Sequence, residues 1–196
     1  MRARTPAWLA LAALAGCPIP QPLPDYPAGS PVTPPRIVVD RIPNADTVIR
    51  VPAGCTTAPA YDLGATLIDV ITIDVVRVRW FVNYDPNDSS RYRPEQEADI
   101  FGVNVNPPVT ERTVPTFTFR PYDGFPTIAN TGGGSGRNEG ALHVVELVVS
   151  NGFDPAATDN PPSALPYRTP LAGFETQVYR WTFLTVLPSP TVTCPP

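Results

Sequence analysis

The sequence predicts an all-β fold, an antiparallel β-sandwich, from three observations. Several segments alternate apolar and polar residues, as strands with one buried face do, and they are rich in β-branched and aromatic residues. Pro, Gly, Asn and Asp separate these segments. No long apolar pattern with the 3.6-residue period of a helix competes with them. Many short strands joined by turn-forming connections are typical of two antiparallel sheets packed face to face.

The clearest strand is predicted over residues 75–84. Val78 and Trp80 share one face, and Arg79 and Phe81 share the other. We therefore expect a half-buried strand with Trp80 in the core.

The remaining strands are predicted in order along the chain. They cover residues 36–40, 47–51, 66–73, 100–105, 116–119, 142–149 and 177–186. A helix is the alternative over 66–73, but the β-branched residues of this segment favour a strand. Asn151 and Gly152 follow the segment 142–149 and signal a turn.

The first seventeen residues form a separate pattern. Arg2 and Arg4 precede a short apolar run over 7–15. The run is too short for a membrane-spanning helix, which needs about 20 residues, and it is typical of an export signal peptide. The motif Leu14-Ala15-Gly16-Cys17 follows, and it resembles the lipobox of bacterial lipoproteins.

This resemblance implies cleavage after Gly16, a diacylglycerol thioether on Cys17 and a further acyl chain, such as palmitate, on the new N-terminus. Several acyl chains on one residue anchor a protein stably. An ordinary secretory signal with a chance cysteine is the alternative, but the positive start, apolar run and lipobox in this order favour the lipoprotein. Pro18, rather than Asp, follows Cys17, which favours the outer membrane over the inner membrane of the cell envelope.

The rest of the chain divides into a tether and a folded domain. Residues 17–35 hold eight prolines and show no apolar period, so this segment is expected to be an extended spacer. A spacer of this length reaches up to ~55 Å. The predicted organisation is a signal peptide over 1–16, the lipidated cysteine and tether over 17–35, and the sandwich domain over 36–196.

The cysteine count supports a disulfide. The chain holds three cysteines, and an exported protein with an odd number leaves one unpaired. If Cys17 carries lipid, Cys55 and Cys194 remain to pair in an oxidising compartment. The spacings typical of zinc sites are not present in the sequence.

A second resemblance concerns the folded domain. The run Val-Arg-Val-Arg-Trp-Phe-Val-Asn-Tyr over 76–84 resembles the Trp-bearing strand of immunoglobulin-like domains. Residues 140–152 and 177–183 are similar to the last two strands of PKD-type extracellular modules. These strands do not carry the usual inter-sheet cysteines, and the typical Trp-Asp-Phe-Gly-Asp-Gly run is missing. The resemblance, over 65–186, implies an immunoglobulin-like sandwich and leaves the subfamily open.

Charge and motifs argue against several functions. The formal charge of −4 becomes −6 once Arg2 and Arg4 leave with the signal, and the basic residues are scattered, which is unfavourable for nucleic-acid binding. His143 lies on an apolar strand face with no nucleophile or acid in view, so a core role is favoured. Ser135 lies among glycines, but Arg137 replaces the last glycine of a Gly-x-Ser-x-Gly elbow.

The acidic connection 85–99 is the best metal candidate. Four oxygen-bearing side chains there suit Ca²⁺. They are Asp85, Asn87, Asp88 and Asp99. An EF-hand is excluded because Ser90 and Gln96 replace its glycine and bidentate glutamate. A solvated loop neutralised by Arg91 and Arg93 is favoured over a calcium site.

These inferences predict a lipid-anchored envelope protein that is not an enzyme, has no cofactor, and does binding or structural work for an unidentified envelope or extracellular partner. The alternative is a carbohydrate- or metal-dependent enzyme or binding protein that uses the acidic connection 85–99. Sandwich domains host both kinds of function, so the fold does not decide between them.

Overall fold

In the computed structural model, the chain folds into two β-sheets that pack face to face. The structure describes residues 33–38, 47–102, 109–125, 128, 137–153 and 165–196. All regular secondary structure in these ranges is β-strand, which confirms the all-β prediction. The strands are β1 Arg36–Val38, β2 Ile49–Pro52, β3 Tyr61–Leu63, β4 Thr66–Ile68, β5 Val76–Val82, β6 Gln96–Ile100, β7 Glu111–Thr113, β8 Phe117–Phe119, β9 Leu142–Ser150 and β10 Gln177–Val186.

The larger sheet has five strands in the order β2-β10-β9-β5-β6. Its three long strands, β5, β9 and β10, are the ones with the clearest alternation in the sequence, and they pair antiparallel. Trp80 lies opposite Leu147, which in turn lies opposite Tyr179. β2 pairs parallel with β10, with Ile49 opposite Phe183, so the prediction of a purely antiparallel sandwich is wrong at this edge.

The smaller sheet consists of two short ladders that continue each other. β1, β4 and β7 form one ladder, and β3 and β8 form the other. Leu63 lies opposite Phe117 in one ladder, and Thr66 lies opposite Thr113 in the other. The pairing register therefore shifts by one residue between the two ladders. The Val114 N–H donates to the carbonyl of Ala65 at 2.9 Å between them. The extra residue is a bulge, so β3–β4 and β7–β8 act as two bent strands beside β1.

The core lies between the two sheets. Trp80 is fully buried, as predicted, and its ring stacks at 5.3 Å on Phe117 of the opposite sheet. Trp181 stacks on the other side of Trp80 at 5.5 Å. The apolar faces of β5, β9 and β10 therefore meet those of β3–β4 and β7–β8, which is the packing of a sandwich.

The outer face of the larger sheet is also covered, so the prediction that strand 75–84 is half-buried is wrong. Phe81 and Val148 on this face are fully buried and pack with Phe153. The covering chain is the connection between β9 and β10. Phe153 bridges to Pro170 and the Leu171 N–H donates to the carbonyl of Gly152 at 2.7 Å, which fastens this connection to the sheet end.

Several predicted bounds need correction. The strand at the position predicted as 100–105 is β6, Gln96–Ile100, and the chain has left the sheet at Phe101. Residues 39–40 and 103–105 of the predicted strands lie outside the described residues. The segment 66–73 forms a strand, but only over Thr66–Ile68. β3 and β7 were not predicted. The predicted signal peptide, most of the tether and the glycine-rich segment 131–136 lie outside the described residues, as does 154–164. In the ranges that the structure describes, no helix is long and apolar enough to cross a membrane.

Candidate functional site

The acidic connection after β5 is organised around one arginine. The Arg91 guanidinium contacts the carboxylates of both Asp85 and Asp88, the latter at 2.9 Å from Nε. Asp88 Oδ1 also accepts hydrogen bonds from the Oγ and the backbone N–H of Ser90, at 2.7 and 2.9 Å. The Ser90 side-chain bond is the main cause that lowers the pKa of Asp88, followed by the Ser90 backbone bond. Both carboxylates are thus already paired with a cation of the protein itself.

Asp99 does not lie near Asp85 and Asp88. It lies on β6 opposite Arg77, near the start of β5, and the two side chains form a bidentate pair with N–O distances of 2.6 and 2.8 Å. The hydrogen bond from Arg77 lowers the pKa of Asp99. Asp85 follows the other end of β5, roughly 17 Å or more away along the strand.

The four candidate calcium ligands therefore do not meet at one point. The Asn87 N–H donates to Asp85 Oδ1 at 3.0 Å, but Asp99 is separated from both by the length of β5. Among the described residues, no three or more His, Cys, Asp or Glu side chains are grouped so that they could hold a metal ion.

Sequence reasoning missed a dense group of side chains on the outer face of the larger sheet, which we call the outer-face cluster. It contains Arg79, Tyr84, Tyr92, Glu97, Glu146, Phe153, Tyr167, Arg168 and Arg180. Arg79 is 2% exposed; its guanidinium lies 4.4 Å from the ring centroid of Phe153 and donates to the carbonyl of Tyr167 at 2.6 Å. Burial lowers the pKa of Arg79, and the nearby Glu97 opposes that shift.

Glu146 is the buried carboxylate of the outer-face cluster. Arg168 lies 3.0 Å from one of its oxygens, and Arg180 contacts the other. The Arg168 guanidinium also lies 4.5 Å from the ring centroid of Tyr84, whose hydroxyl donates to the carbonyl of Pro166 at 2.9 Å. Burial raises the pKa of Tyr84 to about 12; Arg168 lowers it and Glu146 raises it further.

Tyr167 holds the β9–β10 connection in place with a strained backbone conformation. Its φ of +58° lies in the left-handed region, which a bulky side chain rarely adopts. Its ring stacks on Tyr92 at 5.8 Å, and its carbonyl accepts from Arg79. These contacts offset the strain, so the outer-face cluster fastens the β9–β10 connection through mutually paired charges and rings.

His143 is a core residue, as predicted. It is fully buried on β9, and its Nδ1 lies 2.8 Å from the Asn83 side-chain nitrogen, which donates to it. Asn83 Oδ1 accepts from the Val144 N–H at 2.7 Å, and Phe119 meets the imidazole edge-on at 5.6 Å. Burial lowers the pKa of His143 to about 4. A neutral histidine held in this way positions the end of β5.

The depressed pKa of His143 predicts a loss of stability in mild acid. The unfolded chain binds a proton near pH 6.5 and the folded chain only near pH 4, so the free energy of unfolding falls as the pH drops through this window. The expected loss between pH 7 and 5 is about 2 kcal/mol. His143 is the single histidine, so an NMR titration of its imidazole is unambiguous. His143→Gln should remove this pH dependence, and an imidazole midpoint of 6 or above would contradict the prediction.

Cys55 and Cys194 form the disulfide that counting predicts, with 5.5 Å between their Cα atoms. The Cys55 N–H donates to the Tyr122 hydroxyl at 3.3 Å, and that hydroxyl donates to the carbonyl of Pro52. The disulfide ties the segment after β2 to the tail after β10. Cys17 and Ser135 lie outside the described residues.

A second missed feature is a buried ion pair at the opposite end of the sandwich. Arg112 of β7 lies 2.9 Å from Asp69, and both side chains are buried. The same guanidinium donates to the carbonyls of Asp74, Ile71 and Ile100 at 2.6, 2.9 and 3.3 Å. One arginine thus joins the β4–β5 connection, the end of β6 and the start of β7.

Comparison with known proteins gives no match to any family model, to any curated protein or to any solved structure. The fold and its covalent bond define a disulfide-linked β-sandwich protein. Disulfides of this kind form in oxidising compartments and are rare in the cytosol.

Proposed function

We propose that this chain is a lipid-anchored cell-envelope protein whose immunoglobulin-like sandwich does non-enzymatic binding or structural work outside the cytoplasm. Lipid on Cys17 would hold it on a membrane, the outer membrane in preference to the inner one. The proline-rich segment 17–35 would space the sandwich from that surface.

The pairing of the cysteines carries this proposal. Three cysteines are present, and the lipobox motif assigns one of them, Cys17, to lipid. The other two, Cys55 and Cys194, are 139 positions apart and are bonded in the folded domain. A signal for export and a disulfide typical of exported proteins therefore agree, although they come from different parts of the chain.

The strand order supports the immunoglobulin-like part of the proposal. In immunoglobulin-like domains the last two strands and the Trp-bearing strand share one sheet, and the first, second and fifth strands share the other. Here β10, β9 and the Trp-bearing β5 are neighbours, and β1 lies beside β3–β4, which lies beside β7–β8. The disulfide departs from that pattern because Cys194 lies beyond the last strand.

The geometry of the ionisable side chains favours binding or structural work over catalysis. Asp85, Asp88 and Asp99 each form a close pair with an arginine. His143 is buried and hydrogen-bonded to Asn83. The alternative, an enzyme or binding protein that uses the acidic connection 85–99, gains no support from this arrangement.

Labelling cells with a palmitate analogue tests the anchor. The wild-type protein should take up the label and fractionate with membranes, and Cys17→Ser should lose both properties. The double variant Cys55→Ser/Cys194→Ser is the matched control and should keep the label, because its lipobox is intact. Unchanged membrane fractionation of Cys17→Ser would overturn the proposal.

A further inference from the structure

Apolar side chains are exposed together at one end of the sandwich, where β4 and β6 end and β5 and β7 begin. Phe101 is 71% exposed, Val70 73% and Ile73 67%. Of the eleven exposed large hydrophobic residues in the described ranges, six come from this end. They are Ile68, Val70, Ile73, Val75, Phe101 and Val109, and we call them the apolar end. Exposed apolar groups gathered in this way mark interaction sites.

The segments of the apolar end are held against each other. A Cβ added to Gly102 would lie 2.7 Å from the Cα of Ile73. The backbone that follows Phe101 therefore packs directly against the backbone of Ile73. The Asp69 N–H donates to the carbonyl of Thr110 at 2.9 Å, which brings Val109 next to the same connection. The apolar side chains therefore belong to one surface.

The buried ion pair explains why these side chains point outward. Arg112 draws the carbonyls of Ile71, Asp74 and Ile100 inward, together with the Asp69 carboxylate. The polar groups of the connections are satisfied inside the domain. The side chains that remain at the surface are then mainly apolar, the reverse of an ordinary solvated loop.

The chain enters the domain at this same end. β1 pairs antiparallel with β4, and Arg36 lies opposite Ile68, the last residue of β4. Residues 33–35, which lead into β1, therefore arrive beside the start of the β4–β5 connection. If Cys17 is lipidated, the tether runs from the membrane to the apolar end.

We propose that the apolar end inserts into the surface of the bilayer to which the chain is anchored, with Phe101 and Ile73 as the main inserting side chains. This inference rests on the proposed lipid anchor. A tether of at most ~55 Å keeps the domain at a high effective concentration near the bilayer, so a weak insertion suffices. Insertion would hold the sandwich upright, with the disulfide end facing away.

The charges at this end indicate which lipids it suits. Two arginine–aspartate pairs lie at this end, the buried Asp69–Arg112 pair and the Arg77–Asp99 pair beside Phe101. The other ionisable residues are Arg36, which lies opposite Ile68, and the acidic Asp74 and Glu111. One cation and two carboxylates give these three a net charge of −1. The apolar end should therefore bind a zwitterionic surface by burying apolar area, and anionic lipid should not strengthen it.

Fluorescence quenching by brominated lipid tests the insertion. The lipidated full chain is reconstituted in phosphatidylcholine vesicles, with Phe101→Trp as the reporter and Leu187→Trp as the matched control. Leu187 is 61% exposed and directly follows β10 at the disulfide end. Trp80 and Trp181 are fully buried and give an equal background in both proteins. Brominated lipid should quench the Phe101→Trp emission and leave that of Leu187→Trp unchanged.

Further arms separate this inference from the proposed function. An unlipidated chain that starts at residue 17 and carries Cys17→Ser lacks the apolar run 7–15 and its Trp8, so with excess vesicles it tests the apolar end without the anchor. Phe101→Asp should lower its partitioning about tenfold or more. Quenching in this chain supports insertion even if Cys17 proves unlabelled in cells. Absence of quenching in the anchored Phe101→Trp protein overturns the inference while the anchor stands. A blue shift with envelope extracts but not with pure vesicles would also overturn it, in favour of a protein partner.

Discussion

Removing the Cys55–Cys194 bond should lower the free energy of unfolding by up to about 5 kcal/mol. The bond closes a loop of 139 positions, and in the chain-entropy account a loop of this length restricts the unfolded chain by that amount. It also holds a tail in which four of the last nine residues, Pro188, Pro190, Pro195 and Pro196, are prolines that cannot donate to a sheet. A loss of this size is a large part of the stability of a typical domain.

Urea denaturation of the wild-type domain and of Cys55→Ser/Cys194→Ser measures this loss. Both are made in the Cys17→Ser background, so that lipid does not affect the comparison. The double variant leaves no free thiol to pair wrongly. Non-reducing peptide mapping of the wild-type protein should show the two cysteines linked. Equal midpoints in urea for the two proteins would show that the bond contributes nothing to stability.

Replacing Arg112 by methionine should destabilise the domain by about 3–5 kcal/mol, because it leaves the Asp69 carboxylate buried without its partner. Three backbone carbonyls lose their donor in the same step. Adding Asp69→Asn to this variant should cost little more, since the uncompensated charge is then gone. If Arg112→Met does not fold, Arg112→Lys keeps the charge and should lose part of the same stability.

The matched control for Arg112 is Arg77, which also faces an aspartate. The Arg77–Asp99 pair is bidentate, but its side chains are 21% and 33% exposed, so Arg77→Met should cost about 1 kcal/mol or less. Thermal or urea unfolding of both variants gives the comparison. Equal effects of the two substitutions would mean that burial does not set the strength of the Arg112 pair.

The long strands could be predicted because their side chains alternate over many residues. β5, β9 and β10 bury apolar residues at every second position towards the core, and the bounds predicted for the last strand agree with Gln177–Val186. β3 and β7 have three residues each, which is too few for a period to show. Their pairing depends on contacts between distant segments.

β6 was misplaced for a physical reason. It is an edge strand in which Gln96, Glu97 and Asp99 are polar, so its sequence resembles a loop. Charged residues on an edge strand discourage pairing with a second protein, and Arg77 and Arg79 on the neighbouring strand pair with Asp99 and Glu97. Asp99, one of the carboxylates that suggested a metal site, is part of this ladder.

The outer-face cluster and the Asp69–Arg112 pair could not be read from spacing. Each joins residues that are far apart in sequence. Arginine and glutamate usually lie on the solvated surface of a protein, so their presence in the sequence does not indicate a buried cluster. One signal was present. Phe81 and Val148 are apolar residues on the face opposite Trp80, which indicates a strand covered on both sides.

The covalent bond between Cys55 and Cys194 also fixes how far a pulling force can stretch the domain. Tension between the N-terminal side and the C-terminal tail passes through the bond and bypasses the residues between the two cysteines. It can peel away β1 and β2, which have three and four residues. Extension from residue 36 to Cys55 then stops at about 70 Å. Most of the core would carry no load, so the sandwich should regain its fold from an intact template when the tension ends.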